Sequence, residues 1–300
     1  MSAQHSAPAP HRSRSLPRLR FMRSTLVRGI VTSCMTVVAL LAQVQPASGA
    51  PSASAAAACG EQLDATEVSE IVTLADLETL PGGPSLPRLE VTADRLNKIT
   101  EILARHKDRR ATFALGLDAL EQVAILPLQR NESEFDDPDY AHRLSIEVMS
   151  RFLRNLHGEF TGGDVEPHWA RHFELAHNCD LSLGHVTMAG YNAHFTVDMP
   201  HVVAAIGSRP ANARDYFTVL DTISAGRDVI VAPTEAVFGA AVRPALDLLA
   251  GDRIARIGFN GFNAINFATG MALQSAILRG ATEAEINLAW RAIDAAVKVL

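Results

Sequence analysis

Three signatures of common nucleotide-binding, hydrolase and zinc-finger folds are missing from this 300-residue sequence. The chain has no glycine-rich phosphate loop, no nucleophile elbow of the Gly-x-Ser-x-Gly type and no paired Cys-x-x-Cys motif. Nucleotide-binding, α/β-hydrolase and zinc-finger interpretations therefore lack support. Aromatic residues make up only 6% of the chain and β-branched runs are short, which favours helices packed through small residues.

Acidic residues are absent from the first 50 positions, which contain six arginines, and an apolar run covers residues 30–42. That run is too short to span a bilayer comfortably, and Ser48-Gly49-Ala50 fits a secretory cleavage site. We therefore expect residues 1–50 to be a Sec-type signal peptide that is cleaved near Ala50. The mature protein is predicted to be secreted or extracytoplasmic, without a transmembrane anchor.

Positive charge becomes scarce once that segment is removed, because six of the 27 basic residues lie in it and all 33 acidic residues follow it. The remaining basic cluster, Lys107 to Arg110, is typical of the solvated end of a helix. We therefore do not expect the protein to bind nucleic acid. A hydrophobic content of 48% over this length predicts a sizeable packed core.

Cysteine is also sparse, with Cys34 in the predicted signal and only Cys59 and Cys179 after it. Two thiols in an oxidising compartment favour a disulfide that ties the mature N-terminus to the loop after Asn178. An alternative is that Cys59 is a lipidated N-terminal cysteine.

Low-complexity sequence and a proline-rich break, Pro81 to Pro87, predict a tether and a short N-terminal segment over residues 51–91. Helical periodicity then begins after Thr92, which is a candidate N-cap, and Thr282 with Glu285 resembles a capping box. The run from Asp228 to Pro233 fits strand as well as helix. We predict an all-α domain over residues 92–300, a single bundle of about seven to nine helices. The main predicted segments are 111–128, 138–157, 167–178, 181–198, 212–226, 234–249 and 282–300.

The segment from Gly190 to His201 contains three metal-capable side chains at helical spacing within an apolar run. On a helix, His194, Asp198 and His201 share one face, with neighbouring Cβ atoms about 5–6 Å apart. Imidazole and carboxylate groups are ligands that Zn and non-haem Fe accept. The spacing predicts that His194 and Asp198 hold one ion, while Pro200 kinks or restarts the helix. In the structural alternative, Asp198 caps a helix and His194 is a core histidine satisfied by a carbonyl.

Other segments must supply the remaining groups of such a site. We nominate Asp137 and Asp215 as further metal ligands, and His185 or His201 as the residue that transfers a proton. His168 and His172 form a second pair at the same spacing, but Trp169 and Phe173 define the predicted buried face there. We therefore expect these two histidines on a partly solvated flank.

Several short motifs follow one another along the chain. They are Phe135-x-Asp137-Pro138, Pro167-x-Trp169 with Phe173, Tyr191-Asn192-Ala193-His194-Phe195-x-x-Asp198-Met199, Asp215-Tyr216 and Trp290. In this order they resemble a bacterial, mostly actinobacterial, all-helical domain family of unknown function, over residues 92–300. The resemblance implies no activity. It does imply that Asn192, His194 and Asp198 form the polar centre of the family.

A fainter likeness is to secreted helical zinc phospholipase C and single-strand nuclease enzymes, whose metal-binding helices also carry a His-x-x-x-Asp pair. Those enzymes begin their mature chain with a metal-binding tryptophan. Trp169 and Trp290 both lie far from the predicted cleavage point, so this feature is missing here.

Two functions remain open at the level of sequence. The first is a metal-dependent hydrolase that acts on an ester or phosphoester through a His/Asp-bound Zn or Fe ion. The second is a non-catalytic exported domain that binds an apolar small molecule, a lipid-like ligand or a cell-envelope component. In that case the cluster of Asn192, His194 and Asp198 is a buried hydrogen-bond network.

Overall fold

The computed structural model of the protein describes residues 57–225, 227–239 and 252–298. These ranges are helical and contain no strand, which confirms the all-α prediction. The α-helices are α1 (Ala65–Ala75), α2 (Ser85–Arg105), α3 (Ala111–Leu120), α4 (Leu126–Gln129), α5 (Pro138–Thr161), α6 (Pro167–His177), α7 (Leu183–Asn192), α8 (Met199–Ala205), α9 (Ala213–Ala225), α10 (Arg227–Phe238), α11 (Asp252–Leu273) and α12 (Arg279–Val297). The predicted segment 234–249 lies partly outside the described residues.

Regular packing begins upstream of the expected boundary at residue 92. Helix α1 starts with a capping box between Asp64 and Glu67. Its residue Ile71 is fully buried, and so is Leu89 of α2. Thr92 lies inside α2 and its hydroxyl donates to the Arg88 carbonyl, so this threonine is not an N-cap. The proline-rich break ends at Pro84, and Pro87 already lies in the first turn of α2. Proline is tolerated at that position of a helix.

Two long helical runs each contain a π-helical turn immediately before a proline. Glu121–Ile125 joins α3 to α4 and is followed by Pro127. Ala193–Asp198 joins α7 to α8 and is followed by Pro200. Helical hydrogen bonding continues through both runs, so the helix does not restart at Pro200.

The wide turns have a common cause in the chemistry of proline. A proline lacks the N–H and its ring clashes with the carbonyl four residues earlier in an α-helix. Here the residue before each proline bonds five residues back: Leu126 N–H donates to the Glu121 carbonyl, and Met199 N–H to the His194 carbonyl. The widened turn leaves room for the ring while the helix continues.

A side chain of another helix donates to the carbonyl to which Pro200, which has no N–H, cannot donate. Phe195 lies five residues before Pro200, where a π-helical bond would be made. The side-chain amide of Asn266, in α11, donates to the Phe195 carbonyl at 3.0 Å. Packing of α11 against α8 therefore accompanies the proline-containing turn, as expected for a buried polar group that needs a partner.

Aromatic rings fill the core where α3, α5 and α6 meet. The ring centroids of Phe113 and Trp169 lie 5.0 Å apart, and those of Phe152 and Trp169 lie 5.1 Å apart. All three side chains are almost fully buried. Edge-to-face contacts of this kind add specificity to apolar burial, and here they fix α6 relative to α3 and α5.

Other predicted boundaries shift for identifiable reasons. Helix α5 continues past Gly158 and ends at Thr161, where Gly162 adopts a left-handed φ of 71°. Gly158 allows close packing, since a Cβ there would lie 2.2 Å from the Asp164 carbonyl oxygen. The run from Asp228 to Pro233 is helical, within α10.

The predicted capping box near the C-terminus is wrong. Helix α12 begins at Arg279, upstream of the predicted cap. Thr282 lies inside the helix, and its hydroxyl donates to the Leu278 carbonyl.

One helical run among the described residues, Ala111–Gln129, is long and apolar enough to cross a membrane. About two thirds of its most apolar stretch is buried inside the protein. This burial is typical of the core helix of a packed domain, and the run includes the first π-helical turn.

A disulfide joins Cys59 to Cys179, as expected from the two-cysteine count. The adjoining basic cluster is not a solvated helix end, because Asp108 and Arg110 are completely buried. Arg110 pairs with Asp108 at 2.6 Å, and the Ala58 amide donates to the same carboxylate at 3.1 Å. This ion pair and the disulfide together attach the N-terminal segment to the helices.

We predict that the disulfide makes a large contribution to stability, because its two cysteines are 120 residues apart. Closing such a long loop in the unfolded chain corresponds to roughly 3–5 kcal/mol in the chain-entropy account. Denaturant unfolding of the oxidised protein and of a Cys59→Ser/Cys179→Ser variant measures this difference. Reductant should lower the midpoint of the wild type and leave the variant unchanged, whereas equal midpoints for both proteins would contradict the prediction.

Candidate functional site

Asp198, at the end of the second π-helical turn, is the centre of a buried polar group. The residue is completely buried. Its Oδ1 accepts a hydrogen bond from His168 Nε2 at 3.0 Å, and its Oδ2 accepts one from Trp169 Nε1 at 2.9 Å. Both donors lie in the first turn of α6, so the carboxylate also faces the positive end of that helix dipole.

Glu166 brings this polar group to the protein surface. It is the N-cap residue of α6, and its side chain is 40% exposed. Its Oε2 lies 3.8 Å from His168 Nε2. Asn155 makes two hydrogen bonds to Glu166. Its Nδ2 donates to Glu166 Oε2 at 2.9 Å, and its Oδ1 accepts from the Glu166 backbone amide at 2.7 Å.

One oxygen or nitrogen from each of Glu166, His168 and Asp198 lies within 4.8 Å of the other two. We call these three residues the Asp198 centre. Carboxylate oxygens and imidazole nitrogens are ligands for Zn, Fe and related divalent ions. The arrangement can therefore hold a metal ion with a small contraction of the three side chains.

A guanidinium group borders the Asp198 centre. Arg151 Nε lies 3.7 Å from Asp198 Oδ1, and Arg151 Nη1 lies 3.8 Å from a Glu166 carboxylate oxygen. Nε is buried and makes no hydrogen bond to any described residue. The group therefore partly balances the charge of the two carboxylates.

A second group of polar side chains lines a cavity of about 40 Å³. We call it the π-turn cavity, because Glu121 and His194 in its wall belong to the two wide turns described above. Tyr191 also lines it, and its hydroxyl lies so close to Gly116 that a Cβ on Gly116 would be 2.1 Å away. Most of the remaining wall is apolar and includes Phe113, Leu117, Leu120, Ile125, Leu144, Val148, Phe195, Met199, Val219, Leu220, Ile223 and Ile230.

Burial favours the neutral form of each of these three groups. Burial, together with the charge of Asp118, raises the pKa of Glu121 to about 8. It lowers the pKa of the His194 imidazole to about 4. It also raises the pKa of the Tyr191 phenol. Near pH 7 this wall is therefore largely uncharged.

A family model matches residues 89–255, which is more than half of the chain. The chain belongs to this family of unknown function, DUF5995. The match includes every residue of the Asp198 centre and also Glu121, Tyr191 and His194 of the π-turn cavity. Comparisons with curated proteins and with solved structures found no match.

Within this DUF5995 match, His194 and Asp198 have different partners. The His194 ring contacts Phe113 and Phe195, with centroid distances of 5.2 and 4.9 Å, and lines the π-turn cavity. Asp198 is bound to α6 instead. The metal-capable group found among the described residues includes Asp198 but not His194.

Asp137 and Asp215 lie together at a different place, the start of α5. The two Asp215 carboxylate oxygens accept from the amides of Asp136 and Asp137 at 2.9 and 2.8 Å. Asp137 in turn caps α5 by accepting from the Tyr140 amide. Both carboxylates therefore bind backbone amides at this helix start.

His201 and His185, the residues nominated for proton transfer, are also outside the Asp198 centre. His201 Nδ1 donates to the Val197 carbonyl at 2.7 Å, and its Nε2 lies 3.1 Å from both carboxylate oxygens of Glu283. His185 is buried, which lowers its pKa, and its Nε2 has no hydrogen-bond partner among the described residues.

Asn192 connects helices in the same region. Its amide donates to the Trp290 carbonyl at 2.9 Å, and its carbonyl oxygen accepts from Thr196. The side chain therefore fixes α12 against α7, which is the packing role expected of a buried amide.

The expectation that His168 and His172 lie on a partly solvated flank is wrong, because both are buried. His168 reaches Asp198, and the His172 Nδ1 donates to the Val186 carbonyl at 3.2 Å. The sequence signal that could have identified His168 and Glu166 is Pro167 between them. Proline at the first position of a helix places its neighbours at the helix N-terminus, where carboxylates are favoured.

We predict that Glu121→Gln stabilises the protein at alkaline pH. The folded state keeps the Glu121 proton up to about pH 8, whereas the unfolded chain loses it near the ordinary value of 4.5. The free energy of unfolding of the wild type should therefore fall as the pH rises through this window. At pH 8, the variant should be more stable than the wild type by an amount on the order of a few kcal/mol.

Denaturant unfolding at several pH values between about 4.5 and 8 measures this slope, and the exposed Glu61→Gln provides a matched control. The control should keep the slope of the wild type. Parallel profiles for the wild type and Glu121→Gln would show that Glu121 does not keep its proton in the folded state.

Proposed function

We propose that the protein is an exported metal-dependent hydrolase that acts on phosphoesters, with its ion held by Glu166, His168 and Asp198. The observation that carries this proposal is the Asp198 centre itself, with its three ligand atoms within 4.8 Å of one another. Two of the three residues are buried and Glu166 is partly exposed. Such a set holds an ion rigidly while its exposed side admits water or substrate.

Three protein ligands leave coordination positions for water. Glu166, His168 and Asp198 would hold a Zn or Fe ion, which would supply activation of water near neutral pH. The ligands Glu166 and Asp198 contribute two negative charges, and Arg151 offsets one of them. The net local charge thus favours binding of a divalent cation.

Arg151 supports a phosphoester as the substrate class. Its guanidinium lies beside the two carboxylates, and guanidinium groups pair well with phosphate oxygens. A donor held beside the ion stabilises negative charge that develops on phosphate during hydrolysis. The roles of His185 and His201 in proton transfer stay predictions.

Export is part of the proposal. The disulfide between Cys59 and Cys179 agrees with an oxidising compartment, where such bonds form and persist. The arginine-rich, acid-free N-terminal sequence and its apolar run are the second argument.

A second candidate function is a non-catalytic exported domain in which these side chains form a structural network. One observation favours it: both carboxylate oxygens of Asp198 already accept hydrogen bonds from α6. A buried carboxylate with two donors and a nearby guanidinium is satisfied without an ion. In this function, the network stabilises the surface or cavity that binds a ligand.

We predict near-stoichiometric Zn or Fe in the protein purified without chelator, as measured by elemental analysis. His168→Ala should lose the metal, because it removes a ligand of the Asp198 centre. His194→Ala, the matched histidine control on the π-turn cavity, should keep it. The metal-loaded wild type should hydrolyse bis(4-nitrophenyl) phosphate, and EDTA should stop the reaction reversibly.

Thermal melts separate the two candidate functions. If an ion is bound, EDTA lowers the melting temperature of the wild type and does not change that of His168→Ala. If the network is structural, EDTA has no effect on either protein, while His168→Ala alone lowers the melting temperature. Folded wild-type protein without metal would eliminate the hydrolase proposal.

A further inference from the structure

The π-turn cavity contains polar groups that the surrounding protein does not satisfy. Glu121 Oε1 and the Tyr191 hydroxyl are buried and have no hydrogen-bond partner among the described residues. Both groups line the same cavity, together with His194. An unsatisfied buried polar atom costs stability, so its retention beside empty space points to an occupant that bonds to it.

The character of the wall restricts the charge of that occupant. Most lining side chains are aliphatic or aromatic, and burial favours the neutral form of the three titratable groups, Glu121, Tyr191 and His194. An ion would lose its hydration here without gaining a countercharge. An uncharged molecule loses much less.

The donors in the wall indicate which polar atom the occupant carries. The Tyr191 phenol can donate one hydrogen bond, and the neutral Glu121 carboxyl can donate another. The Tyr191 hydroxyl and Glu121 Oε1 have no hydrogen-bond partner among the described residues. An oxygen acceptor on the occupant satisfies such donors, and apolar atoms on it suit the remaining wall.

The size of the cavity limits the occupant to a small molecule. A volume of about 40 Å³ exceeds the roughly 10–15 Å³ that one water needs. It is far below the volume of a site for a drug-sized ligand. A molecule of a few non-hydrogen atoms fits with little movement of the walls.

We propose that the π-turn cavity is a binding site for a small uncharged molecule that carries an oxygen acceptor on an apolar body, such as a short ketone. The site uses Glu121, Tyr191 and His194, none of which belongs to the Asp198 centre. The proposal is therefore independent of the metal and of hydrolysis.

Acetone and acetate test the proposal, because they have nearly the same size and differ in charge. We expect acetone, added to the disulfide-bonded protein at neutral pH, to shift the methyl NMR signals of Ile125, Val148 and Val219 in a saturable way. Acetate at the same concentrations should leave these signals unchanged. Equal responses to both probes would show that the site does not discriminate against charge, and no response to acetone would show that such a molecule does not enter the cavity; either result would overturn the proposal.

Tyrosine variants identify the contact that binds the probe. Tyr191→Phe should keep the stability of the wild type, since its hydroxyl has no partner among the described residues, and should weaken acetone binding roughly five-fold. Tyr140→Phe is the matched control, because its buried hydroxyl bonds to Ser208 Oγ at 2.9 Å. It should lower the denaturation midpoint and leave acetone binding unchanged. An unchanged acetone affinity in Tyr191→Phe would also contradict the proposal.

Discussion

The burial of the Asp198 carboxylate is the constraint on which the site depends. A charge removed from water is tolerated only when hydrogen bonds and nearby charges compensate for the lost hydration. Here the first turn of α6 supplies His168 and Trp169 as donors, and Arg151 of α5 supplies the nearby positive charge. These contacts fix α6 against the helical run that contains Asp198, and the same geometry brings Glu166 beside His168. The metal-capable arrangement is thus a consequence of satisfying one buried carboxylate.

Two prolines determine the local helical geometry around this site. Pro127 and Pro200 are each accommodated by a π-helical turn, and the carbonyls of Glu121 and His194 accept the five-residue hydrogen bonds of those turns. A wider turn changes which side chains face the neighbouring helix, because five residues rather than four separate bonded amides and carbonyls. Glu121 and His194 consequently line one cavity, while Asp198, at the end of the second turn, faces α6. Two chemically different environments therefore lie within one short stretch of chain.

The sequence predicts the fold class and much of the helix pattern, because apolar periodicity and the proline and glycine boundaries are local signals. It also identifies Asp198 as a polar residue within an apolar run. It does not predict that His168 is buried, since Trp169 already accounts for the apolar face of α6 and the partner of His168 lies 30 residues away. Ideal α-helical spacing does not predict the π-helical turns, in which hydrogen bonds join residues five apart. For this reason His194 and Asp198, one α-helical turn apart in projection, have separate environments in the folded chain.

X-ray absorption spectroscopy of the zinc-loaded protein tests the central claim most directly, because it reports the atoms bound to the ion. The account predicts a first shell with one imidazole nitrogen and oxygen ligands at about 2.0–2.2 Å, and loss of the imidazole signal in His168→Ala. An ion bound without imidazole, or an imidazole signal that persists in His168→Ala and disappears in His194→Ala, would contradict it.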